Sequence, residues 1–313
     1  MSTLSVIIPL FNEQESLAEL HDRLRRIIDE MDIDAEVLFI DDGSTDESFR
    51  ILEDIRSRDG RVGVIRFGAN AGKAAALQAG FDRATGDYVV TMDADLQDDP
   101  AEIPALLAAL DGGLDLVSGW KKDRRDPLSK TIPSKVFNLT VRLMAGLTLH
   151  DFNCGLKAYR REVVKSIRIY GELHRYIPVL AKYRGFRVGE IPVRHHPRRH
   201  GRSKYGTRRF VAGFLDLLTV TMLTRYTMKP LHFFGSIGLL FCLAGGLVNL
   251  YVVYLWVESS FQNIQGRQPL LVGGVFLFLL GVQFISTGLL AELITASSMT
   301  QKRHYPPDTA PDE

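Results

Sequence analysis

The chain has 313 residues and a formal net charge of +1, with 38 Lys and Arg against 37 Asp and Glu. That balance argues against a general nucleic-acid binder, which is basic overall. Two cysteines without metal-type spacing, Cys154 and Cys242, argue against a disulfide framework or a zinc site.

Apolar runs at 4–9, 36–40, 62–67, 88–92 and 114–118 read as strands, and the segments 15–31, 46–58, 73–84 and 101–110 between them show helical periodicity. Asp46 after "GST" and the pair Asp99-Pro100 mark helix starts, with Pro100 near the first helical position. This alternation predicts an α/β fold, a mostly parallel sheet with helices on both faces. In such sheets ligands bind beyond the carboxyl ends of the strands. Residues 9–13, 41–44 and 93–97 sit at such ends and are expected to converge.

After residue 118 the character changes. A basic stretch, "KKDRRDPLSK", precedes a segment near 131–147 whose apolar residues lie mainly on one helical face, and 207–229 is a second such stretch. Soluble core helices would explain them, but the segments that follow favour helices lying on a membrane surface. Residues 231–257 and 270–291 contain no Asp, Glu, Lys or Arg. Each is long enough to cross ~30 Å of hydrocarbon at ~1.5 Å per residue, so two spans are expected within 230–295. Arg225 and Lys229 flank the pair on one side, Lys302 and Arg303 on the other, and the connecting loop is short and nearly neutral. The positive-inside rule then places both termini, including the tail 296–313, in the cytoplasm, and no signal peptide precedes the first strand.

The chemistry concentrates at three strand ends. "VVTMDADLQDDP" puts Asp93, Asp95, Asp98 and Asp99 just after a buried strand. Asp93 and Asp95 form a D-x-D whose carboxylates can face one hard cation that also binds diphosphate oxygens and water. A capped helix start with solvated acids is the plainer reading of an isolated D-x-D. "IDDGSTD" and "IPLFNE", however, decorate two further strand ends with acids, a turn glycine and polar pairs.

The ordered set "SVIIPLFNEQESL", "FIDDGSTDES", "NAGKAAALQAGFDRATGDYVVTMDADLQDDP", "DFNCGLKAYRREV" and "HGRSKYG" resembles glycosyltransferase family 2, over about residues 3–209. More narrowly it is similar to the polyisoprenyl-phosphate glycosyltransferases, the dolichol-phosphate mannose synthase group. The two C-terminal spans look like the bacterial branch that acts on undecaprenyl phosphate.

The resemblance implies a GT-A domain over 1–206, a nucleotide-sugar donor, Mg²⁺ or Mn²⁺, and inverting transfer of one sugar to a lipid phosphate. Carried over by position, Pro9, Phe11, Glu13, Ile40 and Asp42 would line the nucleoside pocket, with Ala94 beside it. Asp93, Asp95 and Gln97 would hold the cation against the donor diphosphate. Asp98 and Asp99 are expected to cap the next helix. Asp151, in "DFNCG", matches the family's third catalytic-site acid. A phosphate monoester, with a second pKa of about 6, needs no general base near neutral pH, so Asp151 is expected to position more than to move a proton.

Arg198 and Lys204 match donor-phosphate ligands. Arg124, Arg125 and Arg202 would meet the acceptor phosphate or anionic headgroups. Lys121 stands where relatives often carry Arg, which puts its role as a phosphate ligand in doubt. Cys154, with no His in a partner motif, is not expected to act as a nucleophile.

The expected function is therefore a bacterial inner-membrane enzyme that moves one sugar from a nucleotide donor onto undecaprenyl phosphate. A flippase and an envelope glycosyltransferase would act downstream, and a homo-oligomer packed through the spans is compatible. By analogy the expected donor is UDP-glucose, with UDP-GlcNAc, UDP-galactose, a modified UDP-sugar and GDP-mannose as alternatives. A processive polysaccharide synthase would need more spans and a Q-x-x-R-W motif that the chain lacks. From another class, an inactive membrane scaffold or nucleotide-sugar sensor would keep the fold without turnover.

Overall fold

The computed structural model describes residues 2–122, 141–142, 146–196, 219, 222, 226, 229–258 and 267–303. The surface-helix expectations (most of 131–147 and 207–229) and the basic residues Arg124, Arg125, Arg198, Arg202 and Lys204 lie outside the described residues. The chain divides into two compact units, Met1–Val220 and Thr221–Glu313.

The first unit is built on a seven-stranded sheet. In chain order the strands are β1 (Thr3–Leu10), β2 (Asp34–Asp41), β3 (Val62–Arg66), β4 (Tyr88–Thr91), β5 (Leu116–Trp120), β6 (Lys157–Arg160) and β7 (Val188–Pro192). Their order across the sheet is β3-β2-β1-β4-β6-β5-β7. β1, β2, β3 and β4 pair in parallel, β6 runs antiparallel to both β4 and β5, and β7 is parallel to β5.

Alternation along each strand explains why both faces must be covered. On β1, Leu4, Val6, Ile8 and Leu10 enter one core and Ile7 the other; on β2, Val37 and Phe39 enter the first, Leu38 and Ile40 the second. The first core is roofed by α1 (Leu17–Met31), α2 (Ser48–Arg58) and α4 (Ile103–Asp111). α1 shows the required helical spacing, with Leu17, Leu20, Leu24 and Ile28 all buried. The second core lies under α3 (Lys73–Arg83), α5 (Arg161–Ser166) and α6 (Ile177–Tyr183). Each fully buried Leu, Ile or Phe contributes about 1.5–3 kcal/mol. These cores therefore anchor the strand ends against which a site is built.

The chain winds outward from β1 through β2 to β3, then returns through α3 to β4 on the other side of β1. The carboxyl ends of β1 and β4 thus flank a topological switch point, the crevice where open α/β sheets bind ligands.

The second unit is a pair of helices, α7 (Pro230–Glu258) and α8 (Gln268–Arg303). Glycines let their backbones touch: a Cβ on Gly238 would lie 2.6 Å from the Gly281 carbonyl oxygen, and one on Gly245 2.6 Å from that of Gly274. This is the small-residue packing that apolar solvents favour. Both helices are long and apolar enough to cross a membrane, and only 17% and 11% of their most apolar windows are buried. Core helices of a soluble protein would be mostly buried, so the helices stand as candidate membrane spans. α8 continues past the expected end at 291 because no Gly or Pro interrupts 289–303. Glu292 on that extension accepts a hydrogen bond from the Leu231 backbone N–H at 3.1 Å, satisfying a donor in the first turn of α7.

Candidate functional site

The loops after β1 and β2 are tied to each other by side chains. Asn12, held at φ 55°, donates its N–H to Ser44 Oγ at 2.9 Å and accepts the Thr45 N–H at 2.8 Å. Asp41 accepts the Ser44 N–H at 2.9 Å and lies 3.6 Å from the Arg66 guanidinium. Asp42 uses both carboxylate oxygens on the chain entering α3, accepting Ala71 N–H at 2.7 Å and Gly72 N–H at 2.9 Å. Charge-assisted bonds of this kind are worth about 1.5–3 kcal/mol each, so Asp42 fixes where α3 begins. At the N-terminus of α3, Lys73 forms an ion pair with Asp93 beyond the end of β4.

The D-x-D segment turns sharply there. Leu96 sits at φ 61°, a conformation costing about 1–3 kcal/mol for a non-glycine residue, with its side chain locked in the first core. The Gln97 N–H then reaches Asp95 Oδ1 at 3.1 Å. The Gln97 amide nitrogen lies 3.4 Å from both the His195 ring and the His196 carbonyl, and the His196 N–H donates to the Gln97 carbonyl at 2.9 Å. Burial would raise the Asp93 carboxyl, but the ammonium groups of Lys73, Lys121 and Lys157 outweigh it and hold the acid well below the usual range.

The segment from Asp151 to Gly155 closes the other side. Asp151 is buried, accepts the Asn153 N–H at 2.9 Å, and takes a weak bond from the Ser118 hydroxyl on its backbone oxygen at 3.4 Å. Thr91 at the end of β4 donates its hydroxyl to the Gly155 carbonyl at 2.9 Å. Gly155 packs so tightly that a Cβ there would lie 2.6 Å from the Asp93 carboxyl carbon. The D-x-D segment and the Asp151 segment therefore form one surface at the switch point.

Behind that surface lies a cavity of about 140 Å³, lined by Pro9, Lys73, Asp93, Asn153, Lys157, His174 and Arg175 among others. Lys157 is 3% exposed and donates to the Cys154 carbonyl. Burial pulls its ammonium below the usual lysine value. Arg175 is ion-paired with Glu172 at 2.8 Å. Burial, reinforced by Lys73, Arg175 and Lys157, lowers His174 to about 2, so its ring is neutral.

A sequence profile for glycosyl transferase family 2 matches residues 5–168. The chain belongs to that family. Dodecaprenyl-phosphate galacturonate synthase of Rhizobium johnstonii is 40% identical, over 99% of this chain and 90% of its own. Undecaprenyl-phosphate 4-deoxy-4-formamido-L-arabinose transferase of Edwardsiella ictaluri is 37% identical, over 93% of this chain and 88% of its own. Among solved structures, glucosyl-3-phosphoglycerate synthase from Mycobacterium tuberculosis, in a complex with Mn²⁺, UDP-glucose and phosphoglyceric acid, superposes with a TM-score of 0.53. That match covers 71% of this chain and 79% of the other at 20% identity, and it establishes the GT-A fold.

Within this family 2 domain several expected site residues do gather at one crevice: Pro9 and Asp93 line its cavity, Gly155 joins the Asp93 and Asp151 segments, and Asp42 positions Lys73. Ile40 is fully buried in the core under α3, so only its backbone can face a nucleoside. Ala94 is likewise buried in the opposite core. Phe11 and Glu13 are half-buried on the β1 loop, where the Glu13 N–H donates to Ser48 Oγ at 3.0 Å.

Asp99 caps as expected, accepting the Ala101 N–H at 3.0 Å at the start of the turn that leads into α4. Asp98 does not cap: its side chain is fully buried and ion-paired with Lys121 at 2.9 Å, because the turn at Leu96 points it inward. Burial alone would lower Lys121, but Asp98 and the neighbouring acidic groups raise it, so it is fully charged. Cys154, pushed up to about 12 chiefly by burial, stays a thiol.

Asp93, Asp95 and Gln97 supply hard oxygen donors, a set that suits Mg²⁺ or Mn²⁺ with positions left for diphosphate and water. Among the described residues no cluster of three or more His, Cys, Asp or Glu side chains offers a complete protein cage. Lys73, Lys157, His174 and Arg175 escaped the sequence reading. Lys157 stands on β6, which shows no apolar run to mark it as a strand, and His174 and Arg175 lie in a turn, so none of the three carried a signal.

Proposed function

We propose that this family 2 enzyme transfers one sugar from a nucleotide-sugar to a polyisoprenyl phosphate, held at a membrane by α7 and α8. The observation that carries the reading is the fused surface of the D-x-D and Asp151 segments at the β1/β4 switch point. The two relatives support it, since the likeness runs through the apolar helices as well as the GT-A domain.

An acceptor phosphate oxygen attacks the anomeric carbon from the face opposite the leaving group. The bond to the β-phosphate oxygen breaks, and the nucleoside diphosphate departs with the electron pair. The acceptor is already ionised near neutral pH, so Asp151, held by Asn153, orients rather than deprotonates. Asp93, Asp95 and Gln97 would hold the divalent cation, which supplies charge neutralisation for the departing diphosphate. Lys73 adds a second positive charge beside Asp93. Arg198 and Lys204 serve the donor phosphates in this reading, and Arg124, Arg125 and Arg202 the lipid phosphate.

Both termini and the GT-A domain face the cytoplasm, and another protein must flip the product before it is used outside. The relatives carry galacturonate and a formamido-arabinose, so the donor reading moves from glucose towards such modified sugars.

The test uses detergent-purified protein, undecaprenyl phosphate and radiolabelled nucleotide-sugars with Mg²⁺ or Mn²⁺. The account expects label in the organic phase that EDTA abolishes. Transfer to a soluble sugar hydroxyl, with none to lipid phosphate, would sink it.

A further inference from the structure

Asp98 is a buried acid immediately behind the D-x-D segment, and it caps no helix. The turn at Leu96 directs its carboxylate inward. Oδ2 accepts the Asp93 N–H at 3.4 Å, so residue 98 closes the D-x-D turn on its own first member. Oδ1 lies 2.9 Å from the Lys121 ammonium, with the Asp98 side chain 0% and the Lys121 side chain 10% exposed. The Asp98 backbone is bridged to His195, and beside that bridge the His196 N–H donates to the Gln97 carbonyl at 2.9 Å.

Three strand ends meet at this pair. Asp98 belongs to the loop after β4, Lys121 follows β5, and His195 lies beyond the end of β7. In the sheet β6 separates β4 from β5. Backbone pairing therefore cannot tie the β4 loop to the end of β5, and the ion pair supplies that tie.

The position of Lys121 suggests a phosphate ligand by resemblance, and the geometry gives it another task. A lysine that serves an incoming phosphate keeps its ammonium towards solvent, whereas this one rests against a carboxylate with no exposure. Drawn off to a phosphate, it would leave the Asp98 charge buried without a counter-ion, the costliest state of such a pair.

Resting on the transfer reading above, we infer that Asp98 and Lys121 form a positioning pair that fixes the D-x-D turn for the cation and donor diphosphate, and that Lys121 acts through Asp98 and binds no substrate phosphate. Neither residue touches the reacting atoms. The turn requires only that the two buried charges cancel, so an uncharged pair of similar shape should hold it as well.

The test uses the detergent-solubilised full chain and three variants, Asp98→Asn, Lys121→Met and the double variant Asp98→Asn/Lys121→Met. An amide oxygen at position 98 can still accept the Asp93 N–H. Three readouts are taken: the melting temperature, the calorimetric Kd for UDP or GDP with Mn²⁺, and kcat and KM for undecaprenyl phosphate. Each single variant leaves one buried charge unpaired. It is expected to weaken nucleotide binding and to lower kcat by about 10-fold each, with KM for the lipid changed less than about 2-fold, a coupling typical of contacting residues. The double variant recovers Kd and kcat to within about 3-fold of the wild type, because an uncharged pair replaces a buried ion pair at little cost.

A double variant as impaired as Lys121→Met, with a raised KM for the lipid or a weakened Kd that Asp98→Asn does not share, overturns the inference and makes Lys121 a phosphate ligand. Single variants that melt lower yet bind and turn over as the wild type does also overturn it, since the pair then serves folding alone. Should the single variants fail to fold, the double variant decides; its own failure to fold would show that the turn needs the charges and not merely their cancellation. A wild type that binds nucleotide with Mn²⁺ but transfers to no lipid removes the transfer reading and leaves the binding comparison to judge the pair. A wild type that binds neither nucleotide with Mn²⁺ removes both.

Discussion

Replacing Gly155 with alanine separates catalysis from folding at one atom. The backbone there has no positive φ, so alanine is conformationally allowed. Its Cβ, however, would lie 2.6 Å from Asp93 Cγ, 2.6 Å from Oδ2 and 2.7 Å from Oδ1. Relief to an ordinary contact needs a displacement of roughly 1 Å. The segment cannot simply retreat, because Thr91 holds the Gly155 carbonyl at 2.9 Å, so the Asp93 carboxylate must swing away from Lys73. A misplacement of about 1 Å at a reacting centre costs about 100-fold, or about 2.7 kcal/mol of transition-state stabilisation. Overpacking costs folding only about 1–3 kcal/mol. Gly155→Ala should therefore fold, with a modestly lowered melting temperature, and lose about 100-fold in kcat/KM for transfer to lipid. Gly60→Ala, where a Cβ meets nothing within 4 Å, is the control and should match the wild type. A folded Gly155→Ala with full activity would refute the contact between the two segments as a functional feature.

Three further outcomes are expected. Asp95→Ala should bind Mn²⁺ more weakly in a titration and lose transfer by 10²-fold or more; undiminished metal response would count against the D-x-D assignment. Asp151→Asn should slow transfer while leaving the acid limb of the pH–rate profile near the acceptor's second pKa of about 6, and loss of that limb would make Asp151 the titrating base instead. Arg61, hydrogen-bonded to Asp59, holds that carboxyl down at about 2 against an ordinary 3.8. Its contribution, about 2 kcal/mol, is present above pH ~3.8 and is lost as pH falls through ~2. Asp59→Asn should lower the melting temperature at neutral pH and flatten its fall between pH 4 and pH 2; an unchanged acid dependence would contradict the pairing.

Much of the fold was legible because the first half of the GT-A domain obeys simple periodicities. Leu17, Leu20, Leu24 and Ile28 repeat at helical spacing, and 4–10 alternates between two cores, so the first four strands fall within about two residues of their expected ends. The second half was not legible from pattern. β6, Lys157–Arg160, begins and ends on a basic residue, and β7, Val188–Pro192, has no fully buried position, so neither offers the apolar run that marked the earlier strands.

The candidate site divides in the same way. Asp93, Asp95, Gln97 and Asp151 could be named as candidates because their motifs are local in sequence. Asp98 was misread because its inward direction depends on the unusual backbone of Leu96, which composition does not reveal. Lys73, Lys157 and Arg175 meet only through the crossover of α3 and the antiparallel insertion of β6, contacts of long sequence separation.

The most direct measurement is the mass and stoichiometry of the lipid product from undecaprenyl phosphate, a single UDP-sugar and Mn²⁺ with purified protein. The account predicts one sugar residue per lipid phosphate, one UDP released for each, and no product when EDTA is added. Sugar found only on water-soluble hydroxyl acceptors, or several residues per lipid, would contradict it.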